Sequence, residues 1–76
     1  MEEIIISYVK EGSIVTFPHS AHYYMKVSDG MWKTGVVRLF DGHFIPTTEL
    51  YKEGLGDMCK VVADNLDQFY REEEED

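Results

Sequence analysis

The chain has 76 residues and a formal net charge of −8, which bounds it to one small domain with a modest core. A single cysteine excludes an internal disulfide, and no apolar run approaches about 18 residues, so a transmembrane segment is not expected. The acidic start MEEIIISYV does not read as a signal peptide, which leaves a reduced, cytoplasmic setting as the expectation.

Residues 3–9 (EIIISYV) form a near-continuous apolar run, as expected of a strand buried on both faces or placed at a subunit contact. Lys10, Glu11, Gly12 and Ser13 are a turn signal, and residues 13–17 (SIVTF) read as a second strand stopped by Pro18. A loop with His19 and His22 then leads into residues 22–46, the most clearly specified stretch of the chain. It holds two Asp-Gly pairs, Asp29-Gly30 and Asp41-Gly42, between β-branched and aromatic residues. Asp-Gly suits a two-residue type I′ turn, because both central positions need φ > 0. The spacing predicts a three-stranded meander with strands at 22–28, 31–40 and 43–46.

Register follows from those turns. The first pairs Ser28 with Met31, Val27 with Trp32 and Met25 with Thr34, placing Tyr23, Met25, Val27, Trp32 and Thr34 on the core face. Tyr24, Lys26, Ser28, Met31 and Lys33 then point outward. The second turn pairs Phe40 with His43, Leu39 with Phe44 and Arg38 with Ile45. This puts Val37, Leu39, Phe44 and Pro46 inside, with Arg38 and Phe40 outside. The inward parity changes between Thr34 and Val37, and Gly35 at the change predicts a bulge or bend that curls the sheet.

Thr47 or Thr48 is placed to cap a short helical turn, and residues 51–56 with two glycines read as a connector. Leu55, Met58, Val62, Leu66 and Phe69 recur at three- and four-residue steps, which predicts an amphipathic helix over 57–71 with Asp57 at its start. Lys60 with Asp64, and Asp67 with Arg71, are i,i+4 pairs on its other face. Glu72, Glu73, Glu74, Glu75 and Asp76 form an acidic tail that is expected to fray. The expected class is α+β: a small curved antiparallel sheet, or open Src-homology-3-like β-barrel of about five strands, followed by one C-terminal helix. Residues 1–71 form a single domain and 72–76 the tail. An open sheet packed on one helix is the nearest competing architecture.

Gly12 to Val15 (GSIV), Tyr24 and Lys26 (YxK), Asp29 to Trp32 (DGxW) and Glu49-Leu50 occur in an order that resembles small uncharacterised domains encoded by actinobacterial phages. The resemblance covers roughly residues 9–50 and consists of turn and core positions. It implies a phage origin, location in the host cytoplasm and a binding or accessory role. It carries no catalytic residues over to this chain.

The residues themselves point the same way. His19, His22 and His43 are the only conceivable metal cluster, but a zinc site usually needs four ligands and Cys59 is expected on the distant helix. Cys59 has no basic group specified beside it except Lys60, and Ser20 next to His19 is adjacency rather than a triad. Neither an enzyme nor a cofactor is expected. Ten aromatic residues are more than so small a domain buries, and parity assigns Tyr24, Met31 and Phe40 to outward positions as candidate protein-binding residues. Ile4, Ile5 and Ile6, if at a sheet edge, invite pairing with a second copy, which makes a homodimer a further expectation.

Charge defines the remaining alternative. Residues 1–56 hold five Lys/Arg against seven Asp/Glu, whereas residues 57–76 hold two against eight. An acidic mimic of nucleic acid, directed at a DNA- or RNA-binding protein, is the reading that this surplus motivates. Direct nucleic-acid binding and attachment to anionic membranes are disfavoured, because both rest on clustered Lys/Arg.

Overall fold

The structure, a computed structural model, describes residues 3–28 and 34–74. Six strands lie among them: β1 (Ile4–Ile5), β2 (Ile14–Thr16), β3 (Tyr23–Ser28), β4 (Thr34–Arg38), β5 (His43–Pro46) and β6 (Met58–Ala63). One helix, α1 (Leu66–Glu74), follows. All strand pairs are antiparallel, in the order β1-β6-β2-β3-β4-β5, and the sheet does not close. The expected α+β class holds, with one strand more than expected. No helix among the described residues is long and apolar enough to cross a membrane.

The sixth strand is the main departure from the sequence reading. Residues 58–63 are not the first half of a helix; they fill the slot between β1 and β2. Ile4 pairs with Cys59 and Val15 with Val61, so alternate residues of β6 enter the core as a strand requires. A bulge opposite the Ile14/Val15 step skips Val62, which lets both Val62 and Ala63 serve the other face. Tertiary pairing has overridden a helical spacing here, aided by the β-branched Val61-Val62 pair. The helix starts only at Leu66. Asn65 Oδ1 accepts the Gln68 N–H at 2.7 Å and Gln68 Oε1 accepts the Asp64 N–H at 2.6 Å, a reciprocal cap.

The first strand is also shorter than expected. After Ile5 the chain enters a 3-10 turn, Ile6–Tyr8, because the Lys26 ammonium draws the Ile6 and Val9 carbonyls together at 2.8 and 3.0 Å. Lys26 is therefore buried, not outward. A short 3-10 turn, Thr47–Glu49, does form after β5, but with no side-chain cap from a threonine.

Both hairpin registers differ from the Asp-Gly rule. Ser28 pairs with Thr34 and Met25 with Val37, so five residues separate the paired ends; Asp29-Gly30, Met31, Trp32 and Lys33 lie outside the described residues. In the second hairpin Arg38 pairs with His43, making a four-residue loop of 39–42. These shifts place Tyr24, Lys26, Val36 and Ile45 on one face and Met25, Val37 and Phe44 on the other.

Two cores explain why parity misled. The first face buries Val15, Phe17, Tyr24, Val36, Ile45 and Cys59, roofed by Ile6, Val9, Leu50 and Leu55 from the turns. The second face gathers Ile14, Ala63 and Phe69, with Met25, Leu39, Val62 and Leu66 packed against them. Gly35 marks no change of parity. A Cβ there would meet Ile45 O at 2.5 Å and the Phe44 ring at 2.8 Å, so the glycine lets Phe44 lie across β4.

Candidate functional site

The second face is only partly roofed. At 1.5 Å per residue the nine residues of α1 span about 13 Å, whereas six strands at about 4.8 Å spacing make a sheet about 24 Å across. A groove of about 410 Å³ remains where β3 and the β4–β5 loop begin, lined by His22, Tyr23, Leu39, Phe40, Phe69 and Tyr70.

Three local structures set these walls. Tyr23 opens β3, and its carbonyl accepts the Leu39 N–H at 2.9 Å, which ties the 39–42 loop to the strand. The loop itself is built on Asp41. Its carboxylate accepts two hydrogen bonds from the Arg38 guanidinium, at 3.0 and 2.7 Å, and one from the His43 N–H at 3.0 Å. That arrangement holds the Asp41 carboxyl well below the usual carboxylate range, the Arg38 hydrogen bonds first and the His43 N–H second. Gly42, at φ +74°, donates its N–H to Arg38 O and closes the loop. Phe40 is thereby carried at the tip with 80 % of its surface exposed. The third wall is α1, whose Phe69 packs down while Tyr70 remains 52 % exposed.

The aromatic rings meet in two groups. Tyr23 and Phe69 have centroids 4.8 Å apart, and Phe69 and Tyr70 5.7 Å. Across the groove His22 lies on Phe40 at 5.4 Å. Amphipathic aromatics of this kind present large contact area at low rotamer cost, the property that makes them anchors in protein interfaces.

Of the three residues the sequence proposed for docking, Phe40 lies in this groove. Tyr24 does not. It is 2 % exposed, edge-on to Phe17 at 5.2 Å, with its hydroxyl hydrogen-bonded to Ser20 Oγ at 2.9 Å. The outward assignment took the other face of β3 as the core side, although both faces carry a core. Met31 lies outside the described residues. Tyr23 lies on the exposed rim rather than in the core, His22 enters the groove as a ring against Phe40 rather than as the conceivable metal ligand, and Tyr70 is not among the sequence's docking candidates. The adjacent Tyr23-Tyr24 pair was the available signal, since strand alternation must send one of them to each face.

The other candidate positions are dispersed. Ile4 is half-buried, Ile6 is buried under the first core, and Ile5 is exposed on the two-residue edge strand β1. Glu72, Glu73 and Glu74 belong to α1, so the helix runs on where a fraying tail was expected; Glu75 and Asp76 lie outside the described residues. Among the described residues no three His, Cys, Asp or Glu side chains are grouped to hold a metal ion. Cys59 is fully buried; burial pushes its thiol up to about 11 against the opposing pull of the Lys26 charge. A larger concavity of about 550 Å³ lies by the 51–57 connector, lined in part by Glu3, His19, Tyr51 and Asp57. There the Tyr51 hydroxyl bonds to Asp57, whose carboxylate raises the tyrosine's pKa.

No protein-family model, curated protein or solved structure matches the chain.

Proposed function

We propose that the chain is a non-catalytic protein-binding module that docks a partner protein in the aromatic groove, through Phe40, Tyr70, Tyr23 and His22. The observation that carries this reading is Phe40. A large apolar ring stands exposed at the tip of a loop fixed by the Arg38–Asp41 pair, where packing of the fold gives no reason for it. The resemblance of residues 9–50 extends the proposal to a phage-encoded accessory or host-modulating protein acting in the host cytoplasm, and to a small open β module of the Src-homology-3-like kind. Affinity capture from host lysate with the wild type and a Phe40→Ala/Tyr70→Ala variant tests the docking site. The wild type should retain at least one protein that the variant loses. Identical capture by both removes the groove from consideration.

A second reading, the acidic mimic, is favoured by the extension of α1 to Glu74, which sets three acidic residues on a helix. It predicts that truncation after Arg71 abolishes binding to a basic partner while Phe40→Ala/Tyr70→Ala does not. The groove reading predicts the reverse for the double variant. Self-association rests on Ile5 at the β1 edge. Light scattering over a concentration series tests it, and a strict monomer at high micromolar concentration ends it.

A further inference from the structure

The 39–42 loop holds a chemically labile pair, whether or not the groove beside it docks a partner. We propose that Asp41-Gly42 is a self-modification site held shut by Arg38: released from that clamp, the pair closes to a succinimide and isomerises.

The reaction needs water and no other reagent. The Gly42 nitrogen attacks Asp41 Cγ; the N–Cγ bond forms, the Cγ–OH bond breaks, and the amide proton leaves with the hydroxyl as water. Water then reopens the five-membered imide. Cleavage at the side-chain carbonyl restores aspartate. Cleavage at the main-chain carbonyl leaves isoaspartate, with one more carbon in the backbone and no change in mass. Glycine permits the attack because no side chain shields its nitrogen, and at Gly42 the position of a Cβ has no atom within 4 Å. The Asp41 side chain is 40 % exposed, so water reaches it.

The atoms that would react are nevertheless engaged elsewhere. Asp41 Oδ1 accepts hydrogen bonds from Arg38 Nε and the His43 N–H, both at 3.0 Å, and Oδ2 accepts one from the Arg38 guanidinium at 2.7 Å. These bonds fix the carboxylate on its donors and favour the ionised form, which has no hydroxyl to lose. The nucleophile is tied as well, since the Gly42 N–H is donated to Arg38 O at 2.7 Å. Arg38 thus supplies both restraints, its side chain on the carbon to be attacked and its carbonyl on the attacking nitrogen. The side chain can be removed by substitution without touching the carbonyl.

The test measures isoaspartate at position 41 of the full chain, by peptide mapping with electron-transfer fragmentation after weeks near neutral pH and body temperature. Folded wild type, wild type unfolded in guanidinium chloride, and folded Arg38→Gln are compared. Folded wild type should isomerise at least about tenfold more slowly than the unfolded chain, and Arg38→Gln at least about tenfold faster than folded wild type. Equal rates in wild type and in Arg38→Gln with a native spectrum overturn the proposal, because general stiffness of the loop then gives the protection. Folded wild type isomerising as fast as the unfolded chain overturns it too. Should Arg38→Gln fail to fold, Arg38→Lys is read instead, since it keeps the charge and loses the paired donors. A rate above wild type supports the clamp, and a rate equal to wild type overturns it.

Discussion

At the entrance to the first core, the Lys26 ammonium is buried and bonded to the carbonyl oxygens of Ile6 and Val9. A buried amine is costly unless its protons are placed, and here two acceptors from one 3-10 turn place them. The turn is tied to the amine: without it Ile6 O keeps the Val9 N–H at 3.1 Å, but the Lys26 bonds to both carbonyls are lost. Lys26→Met, which keeps the stem, is expected to lower stability by about 2–3 kcal/mol in urea denaturation; an unchanged midpoint would contradict this role. Cys59 gives a second residue-level expectation. Its folded pKa of about 11 lies above the ordinary 9.0, so burial of the neutral thiol adds stability below pH 9 that is lost as pH rises towards 11. The stability gap between wild type and Cys59→Ala should therefore narrow over that window, and a gap independent of pH would contradict it.

Among the elements, β5 was legible to the residue: the sequence marks 43–46, and His43–Pro46 is the strand. The helix was legible only in part. Leu55, Met58, Val62, Leu66 and Phe69 keep a helical spacing, yet Leu55 roofs the first core and Met58 and Val62 belong to β6. Spacing cannot see the slot between β1 and β2 that a strand fills. The true start was written in Asp64, Asn65 and Gln68, whose side-chain and backbone groups close the cap. Asn65→Ala should cost about 1 kcal/mol of thermal or chemical stability, and no change would show that the cap is idle. Hairpin register was the other loss. Ser28, Val27 and Met25 pair with Thr34, Gly35 and Val37, and because both faces of the sheet are apolar, alternation does not say which face a residue joins. That ambiguity put Tyr24 outside and Tyr23 inside, exchanging two neighbours at the proposed docking site.

For the molecule as a whole, the arrangement has one asymmetry. Turns and the connector seal the first face with Ile6, Val9, Leu50 and Leu55, whereas a nine-residue helix is the sole described cover of the second. The uncovered strip is where Tyr23, Phe40 and Tyr70 stand exposed. Residues that hold the fold, such as Phe69 and Tyr24, are thus distinct from Phe40 and Tyr70, which are proposed to hold a partner. Hydrogen exchange of the chain bound to a captured partner tests that separation most directly. Protection gained on binding is expected at residues 21–23, 39–40 and 69–70. Protection at Glu3, His19 and residues 51–58 around the larger concavity, or along β1, with the groove unchanged, would contradict it.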